Sequence, residues 1–460
     1  MNNIVVQDSV LCKADRELIP HIAPCLKYPK SRWKQGQYSK KEIPVPAYFI
    51  HKGSGVFLTG LLPRVSSFLK NKGIPFEVKG QYEQLTPTSK LYLEGITPRP
   101  DQINMANICV EKQRGLIICP TRYGKTVVAM GLMSMFPKAK VLFLCHTLDI
   151  ISQTVTELKR FKFQNIAELN SKNNVWKGKR IVVSTIQTFV KQSPVDYADY
   201  FDITIVDEAH RCVGAWNSTK KLVQGQYGTV MCYNDSPIKI GFTATPQTEK
   251  SKMLSTEGLL GPIIGEMTQD ESIELKITMK PKIELIPVPY STRISTHRKY
   301  KDLYQHGIVN NRIRNKLICK SIKTKVNEGK TVLVMVKEIQ HGLNIQSMAQ
   351  QVFGMDIDFV RGSTDSSTRQ QTKDAFDKRK LKAVISTAVW REGVNIPSLN
   401  CTINAIGGKS EIMTLQSVGR GLTKIEGKII AEIVDFLDPY RYLAEHCVLR
   451  LSLYIKNNWL

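Results

Sequence analysis

Short apolar runs recur along this 460-residue chain, and their spacing divides it into three parts. In residues 1 to about 95 a single helical periodicity stands out. Residues 61–72 (LLPRVSSFLKNK) place Leu61, Leu62, Val65, Phe68 and Leu69 on one face, Gly73 stops the helix, and Phe76-Glu77-Val78 opens a strand. From about 96 the pattern turns to strand-length apolar runs at 115–119, 140–145, 180–184, 203–206 and 238–242, each followed by a helix-length segment. After about 283 the alternation resumes at 331–336, 357–360, 383–386, 400–405 and 429–436. Near-continuous apolar strands alternating with helices predict parallel sheets covered on both faces. The expectation is an α/β chain with a small basic α+β domain over 1–95, a first lobe over 96–280 and a second over 281–460. The Pro-bearing stretch 279–290 (MKPKIELIPVPY) is expected to join the lobes.

Composition adds one strong signal. Hydrophobic residues make up 42%, as in ordinary soluble domains, but 65 Lys and Arg against 40 Asp and Glu leave a net charge of +25. Such a surplus implies a polyanionic partner, either nucleic acid or an anionic membrane. No run approaches the ~20 apolar residues of a membrane helix, and residues 1–11 lack the basic head and apolar run of a secretory signal. A cytoplasmic protein is therefore expected, which turns the basic charge toward nucleic acid. The ten cysteines form no C-x-x-C pair, so buried reduced thiols are expected rather than a zinc site or a disulfide framework.

Two motifs carry chemistry. The strand at 115–119 runs into Pro120-Thr121-Arg122-Tyr123-Gly124-Lys125-Thr126 and then an apolar helical stretch (VVAMGLMSMF). A strand, a tight loop ending Gly-Lys-Thr and a helix make a phosphate cradle, in which backbone N–H groups face the anion. Thr121, Gly124 and Lys125 belong to that cradle; Lys125 neutralises the β/γ-phosphates and the Thr126 hydroxyl holds Mg²⁺. The glycine that opens the full pattern is replaced by Cys119. The strand at 203–206 ends in Asp207-Glu208-Ala209-His210. Beside a phosphate loop, Asp207 is placed to hold the magnesium and Glu208 to polarise the water that attacks the γ-phosphate. By themselves, two acids after a strand also read as a helix N-cap.

These residues resemble the motifs of the superfamily 2 helicases, and the likeness extends over most of the chain. Residues 207–210 (DEAH) match the family's second motif. Thr243-Ala244-Thr245-Pro246 is similar to the third, which couples hydrolysis to movement, so the resemblance assigns His210, Thr243 and Thr245 to coupling. Arg99-Pro100-Asp101-Gln102 resembles the adenine-reading segment, with Gln102 on the base and Arg99 beside it. Residues 387–397 (TAVWREGVNIP) look like the fifth motif and bring Gly393 to the nucleotide. Residues 416–422 (QSVGRGL) look like the sixth, with Gln416 and Arg420 at the γ-phosphate and Arg420 as arginine finger. Two positions depart from the pattern. Thr423 stands where a second Arg is usual, with Lys424 next to it, and Asn395 stands where the fifth motif commonly has Asp. Within the superfamily the chain resembles the phage branch-migration helicases of the UvsW kind, through its basic front domain, residues 261–281, Arg361-Gly362-Ser363 and residues 310–315 (NNRIRN).

The resemblance implies two tandem RecA-like lobes, ATP and Mg²⁺ as cofactors, and a strand backbone held by His146, Thr147, Ser184, Thr185 and Gln187 in the first lobe and Arg361, Gly362 and Thr387 in the second. Contacts to phosphate predict weak sequence preference and strong salt dependence. Each Ser or Thr among them also reads as an ordinary helix cap. In the front domain, Lys27, Lys30, Arg32, Lys34, Lys40 and Lys41 interleave with Tyr28, Trp33 and Tyr38, a composition suited to binding exposed bases or to a solvated basic loop. Trp390 and Arg391 read as strand contacts, or Trp390 as core. Because the chain stops about 40 residues after Arg420, no large C-terminal accessory domain is expected. The expected function is an ATP-dependent DNA helicase or translocase, a monomer in the cytoplasm (the host's, for a phage protein). It would unwind or branch-migrate forked and junction DNA in replication, recombination and repair. The alternatives are an RNA helicase, which His210 disfavours, and a nucleic-acid binding protein whose ATPase has decayed.

Overall fold

The computed structural model describes residues 2–35, 40–121, 123–170, 173–217, 219, 222–275, 277, 280–387, 390, 396, 398–408 and 431–460, with the backbone alone at 31–35, 40–44, 149, 222 and 366. These residues form two compact units. One comprises Met1–Cys119 and Gly124–Met267, the other Pro120–Tyr123 and Thr268–Leu460.

The front of the chain builds a four-stranded sheet from β1 (Asn2–Val6) and β2 (Leu11–Ala14), a two-stranded hairpin from β3 (Lys27–Gln35) and β4 (Lys40–Tyr48), and the remaining sheet strands β5 (Val56–Leu58) and β6 (Phe76–Lys79), in the order β5-β2-β1-β6. The stretch that read as a base-binding surface or a solvated basic loop forms a ladder from Lys27 opposite Tyr48 to Gln35 opposite Lys40. The helix Leu62–Asn71 lies where its periodicity placed it, with Val65 and Leu69 fully buried. Tyr28 is a correction. It is buried, with its ring 4.9 Å from that of Phe49, and offers no stacking platform. Arg32, Trp33, Lys34, Lys40 and Lys41 have side chains outside the described residues, as does Tyr38 entirely.

This front domain is bonded to the first lobe rather than tethered to it. Arg64 holds Glu257 in a two-pronged pair at 2.6–2.9 Å. Ser9 N–H donates to Asp235 at 2.9 Å, and the buried Arg114 guanidinium donates to the Ser9 and Leu259 carbonyls. Gly60 lies so close to the carbonyls of Glu257 and Gly258 that no Cβ fits there.

The first lobe is a sheet of seven parallel strands: β7 (Arg114–Ile118), β8 (Val141–Cys145), β9 (Ile166–Leu169), β10 (Ile181–Thr185), β11 (Ile203–Asp207), then, past the small ribbon of β12 (Trp216–Asn217) and β13 (Leu222–Val223), β14 (Ile238–Thr243) and β15 (Ile263–Glu266). Their order is β15-β7-β14-β11-β8-β10-β9. Strands β7, β8, β10 and β14 are buried along their whole length, as their largely apolar runs predict for strands covered on both faces, with Arg114 and Lys239 buried among them.

The second lobe is a six-stranded parallel sheet of β16 (Pro281–Pro287), β17 (Val332–Met335), β18 (Asp358–Val360), β19 (Ala383–Ser386), β20 (Cys401–Asn404) and β21 (Ala431–Leu437), ordered β16-β21-β20-β17-β19-β18. The segment expected to be the connection is itself an edge strand, since β16 pairs with β21 along its length. Pro281 and Pro287 occupy the two ends of that edge strand, where a missing N–H costs little, so prolines that suggested a linker belong to the sheet. The compact units part instead between Met267 and Thr268. Trp390, offered as strand contact or core, is core, 2% exposed and stacked on Phe376.

Candidate functional site

A parallel sheet brings the C-terminal ends of its strands to one side, and the chemical residues of the first lobe follow those ends. The helix Lys125–Met135 starts after β7 with Gly124 as N-cap at φ +95°, in the left-handed region, and this N-cap residue gives its first N–H groups no side-chain hydrogen bond. A Cβ at Gly124 would stand 2.5 Å from Gln102 Nε2, so the segment at Arg99–Gln102 lies against the loop. Gln102 is buried and its Oε1 accepts from Arg99 N–H at 3.1 Å, at the start of the helix Pro100–Lys112. Cys119 is buried and its N–H donates to Thr243 O at 3.0 Å, so the residue replacing the expected glycine closes β7 onto β14.

The acids sit two strands away in the sheet, at the end of β11. Asp207 accepts from Glu208 N–H at 2.9 Å. Glu208 adopts φ +49°, a left-handed conformation that a non-glycine residue holds only under constraint from its surroundings. Lys125 Nζ lies 3.8 Å from Glu208 Oε1. Enclosure and the neighbouring Glu208 carboxylate push Asp207 up to about 6, while Lys125 pulls the other way.

From Glu208 a continuous polar chain runs to β14. His210 Nδ1 is 3.3 Å from Glu208 Oε2 and 3.1 Å from Thr243 Oγ1. The Thr243 hydroxyl donates to Thr245 O at 3.2 Å and accepts from Thr245 N–H at 3.1 Å. His210 Nδ1 thus lies within hydrogen-bond reach of both the Thr243 hydroxyl and the Glu208 carboxylate. Gln247 donates to His210 O and fixes the residue from behind. Sequence reasoning stopped at Pro246 and missed Gln247, whose only signal was its place directly after the third motif.

The residues fit a magnesium nucleotide. The helix N-terminus and Lys125 match a polyphosphate, and the Thr126 hydroxyl and Asp207 carboxylate are the hard oxygen donors that Mg²⁺ takes. Gly393, Gln416 and Arg420 lie outside the described residues, as do Arg391, Asn395, Thr423 and Lys424; Thr121 is half-buried.

Along the next strand ends, His146 Nδ1 and Gln187 Nε2 meet at 3.3 Å, both half-buried. Thr147 and Thr185 act as helix caps, accepting from Ile150 N–H at 3.4 Å and Thr188 N–H at 3.2 Å. Ser184 is fully buried and donates to Thr185 O. In the second lobe, Arg361 and Gly362 follow β18, Gly362 exposed with open space around it, while Thr387 is 7% exposed and its N–H donates to Val360 O at 3.1 Å.

The family described as "Type III restriction enzyme, res subunit" matches residues 95–248, and "Helicase conserved C-terminal domain" matches residues 313–422. The chain belongs to the superfamily 2 helicases. This helicase is 26% identical over 340 residues to the ATP-dependent DNA helicase uvsW of Enterobacteria phage T4, across 71% of this chain. It spans 65% of that relative's length. It is 23% identical over 378 residues to the DNA 3'-5' translocase XPB2 of Sulfurisphaera tokodaii, across 75% of this helicase and 83% of that protein. The Pyrococcus furiosus Hef helicase domain shares its fold, with a TM-score of 0.52 at 14% identity, covering 76% of this chain and 98% of that one. No helix among the described residues is long and apolar enough to cross a membrane.

Proposed function

We propose that this helicase is an ATP-driven DNA motor that unwinds or branch-migrates forked and junction DNA in replication, recombination and repair. The observation that carries the reading is the unbroken chain Lys125–Glu208–His210–Thr243–Thr245 at the strand ends of one sheet. Lys125 neutralises the phosphates of ATP, Gln102 and Arg99 hold the base, and Thr126 with Asp207 would hold Mg²⁺, which supplies charge neutralisation at the γ-phosphate when bound. Glu208 orients and polarises the attacking water, its strained backbone aiming the carboxylate. His210 ties that carboxylate to the loop after β14, so a change of charge at Glu208 alters the hydrogen bonds of Thr243 and Thr245. Gln416 and Arg420, with Gly393, complete the site by resemblance to the family.

DNA is bound through phosphate by His146 and Gln187 in the first lobe and by Arg361 and Gly362 in the second. Thr147, Thr185, Ser184 and Thr387 shape those loops and contribute backbone groups. The branched substrate is favoured by the hairpin of β3 and β4, whose exposed Lys27 and Lys30 add to the net charge of +25. We assign the enzyme to the cytoplasm, the host's for a phage protein, and to a monomeric state.

ATP hydrolysis measured without nucleic acid and with single-stranded DNA, duplex, forked DNA or RNA tests the reading, with Glu208→Gln as control. Greatest stimulation by forked DNA and an inert Glu208→Gln protein are expected. Stimulation by RNA alone makes it an RNA helicase. Turnover that no nucleic acid stimulates leaves a nucleic-acid binding protein with a decayed ATPase.

A further inference from the structure

The helix Arg312–Asn327 in the second lobe carries six cations and no carboxylate: Arg312, Arg314, Lys316, Lys320, Lys323 and Lys325. They divide by direction. Arg314, fully buried, is paired with Asp438 at 2.8 Å. Lys325, 8% exposed, is paired with Glu284 at 2.7 Å and Glu432 at 2.9 Å. Arg312, Lys316, Lys320 and Lys323 are exposed, and among the described residues none of the four has a carboxylate partner.

Their spacing of four, four and three residues keeps the four on one face, with neighbours about 5–6 Å apart and a total reach of about 17 Å. The neighbouring helix Ile339–Phe353, packed against it, also has no carboxylate. Between the two lies a polar cleft of about 310 Å³ lined by Arg312 and by the amides of Asn310, Asn315, Asn344 and Gln351. Folded surfaces normally intersperse both signs of charge; a ridge of one sign beside an amide-lined cleft is a counter-ion surface. The inward cations of the same helix meet carboxylates of this chain, whereas the outward ones meet none among the described residues, Lys323 reaching the Phe353 carbonyl at 3.5 Å, and their charge is left for an anion from outside.

We propose that this ridge, starting at the end of the second sheet from which Arg361 and Thr387 emerge, grips the sugar–phosphate backbone of a duplex arm of DNA. The inference rests on the branched-DNA reading above and gives it a second point of attachment. The cations neutralise successive phosphates, and the amides of Asn310 and Gln351 in the cleft donate to phosphate and sugar oxygens without reading sequence.

The full-length protein with R312Q, K316Q, K320Q and K323Q combined tests it against wild type. Binding is measured as a function of salt to a fork with long duplex arms and to a single strand lacking duplex. The expected result is at least tenfold weaker fork binding and a log-affinity against log-salt slope shallower by about 3.6, roughly 0.9 for each of the four phosphates no longer neutralised. Single-strand binding and the thermal unfolding midpoint stay close to wild type. A K316R, K320R, K323R variant keeps the wild-type slope; if it weakens as much as the glutamine variant, the effect is structural and the proposal fails.

Fork affinity and slope equal to wild type in the glutamine variant overturn the ridge while leaving the motor reading intact. A wild-type enzyme that no DNA stimulates overturns both. Phosphatidylserine–phosphatidylcholine vesicles provide the last arm: loss of vesicle binding with unchanged DNA binding assigns the ridge to a membrane surface instead.

Discussion

In the first lobe the strands run β11-β8-β10-β9, and in the second the run β20-β17-β19-β18 repeats that order. The likeness reaches single hydroxyls: Ser184, near the end of β10, donates to Thr185 O at 3.0 Å, and Ser386, at the end of β19, donates to Thr387 O at 3.1 Å. The strand ends then diverge. Strand β11 closes in Asp207 and leads to Glu208, whereas its counterpart β20 closes in Asn404 and leads to apolar Ala405 and Ile406. Two buried acids of the second lobe are clamped by arginines, Asp435 by Arg450 and Asp438 by Arg314, each at 2.8 Å. Asp207 and Glu208 at the end of β11 are held in tension instead, Asp207 pushed up by its surroundings and Glu208 kept at a left-handed backbone angle, with Lys125 no nearer than 3.8 Å. One scaffold thus serves opposite ends: acids locked by an arginine fork stabilise, and acids held more loosely remain able to act.

Four experiments bear on that contrast, in falling order of effect. Glu208→Gln should lower DNA-stimulated turnover by about 10²–10⁴-fold, the usual span for a general base, with little change in stability. A steady-state ATPase assay beside a urea titration decides; a fall below tenfold places the base elsewhere. Arg314→Met strips a fully buried carboxylate of its cation and should cost about 3–5 kcal/mol in urea unfolding. A loss below about 1 kcal/mol would mean that the second lobe does not depend on its clamps.

Asp207→Asn should do the reverse. Because the folded chain holds the Asp207 proton more tightly than the unfolded chain, wild-type stability falls as pH rises from about 4 through about 6. The Asn protein should therefore unfold later at pH 7, by about 1–3 kcal/mol, while losing turnover, and the gain should vanish near pH 4. Thermal scans across that range without nucleotide or magnesium test it, and a gain independent of pH refutes the assignment. Smallest, Ser184→Ala and Ser386→Ala should each cost about 1 kcal/mol and match one another closely, as equivalent bonds in equivalent places. A twofold difference in unfolding free energy change would show that the correspondence of the sheets stops at the backbone.

Much of this was legible in the order of residues alone. Uninterrupted apolar runs placed most strands of both sheets to within a residue or two, because strands buried on both faces need no polar alternation. Lys125, Asp207 and Glu208 could be read because local order places each at a strand end. Of the front sheet β6 alone was legible, at Phe76–Val78: β1 pairs with β6 across some seventy residues, and strands of three to five residues carry little periodicity. Strand β9 was lost for the same reason, at four residues with Glu168 among them. Tyr28 had the composition of a base-stacking surface, and only packing against Phe49 shows it facing inward. Whether a threonine caps a helix or waits for phosphate is likewise a matter of geometry, settled at Thr147 and Thr185 by the N–H groups three residues on.

Glycine at position 60 has a consequence for anyone who would rearrange this protein. Where Gly60 rests on the carbonyls of Glu257 and Gly258, the helix Lys250–Leu260 keeps Leu254 through Leu260 covered. The front domain is part of that cover, through Gly60, Leu58 and Arg64. A graft that moved residues 1–95 onto another motor would carry half an interface, and a motor trimmed of them would present a raw apolar seam to solvent. The front domain and the helix Lys250–Leu260 are inherited as a single casting, and the useful place to cut this chain is not where its first α/β lobe begins.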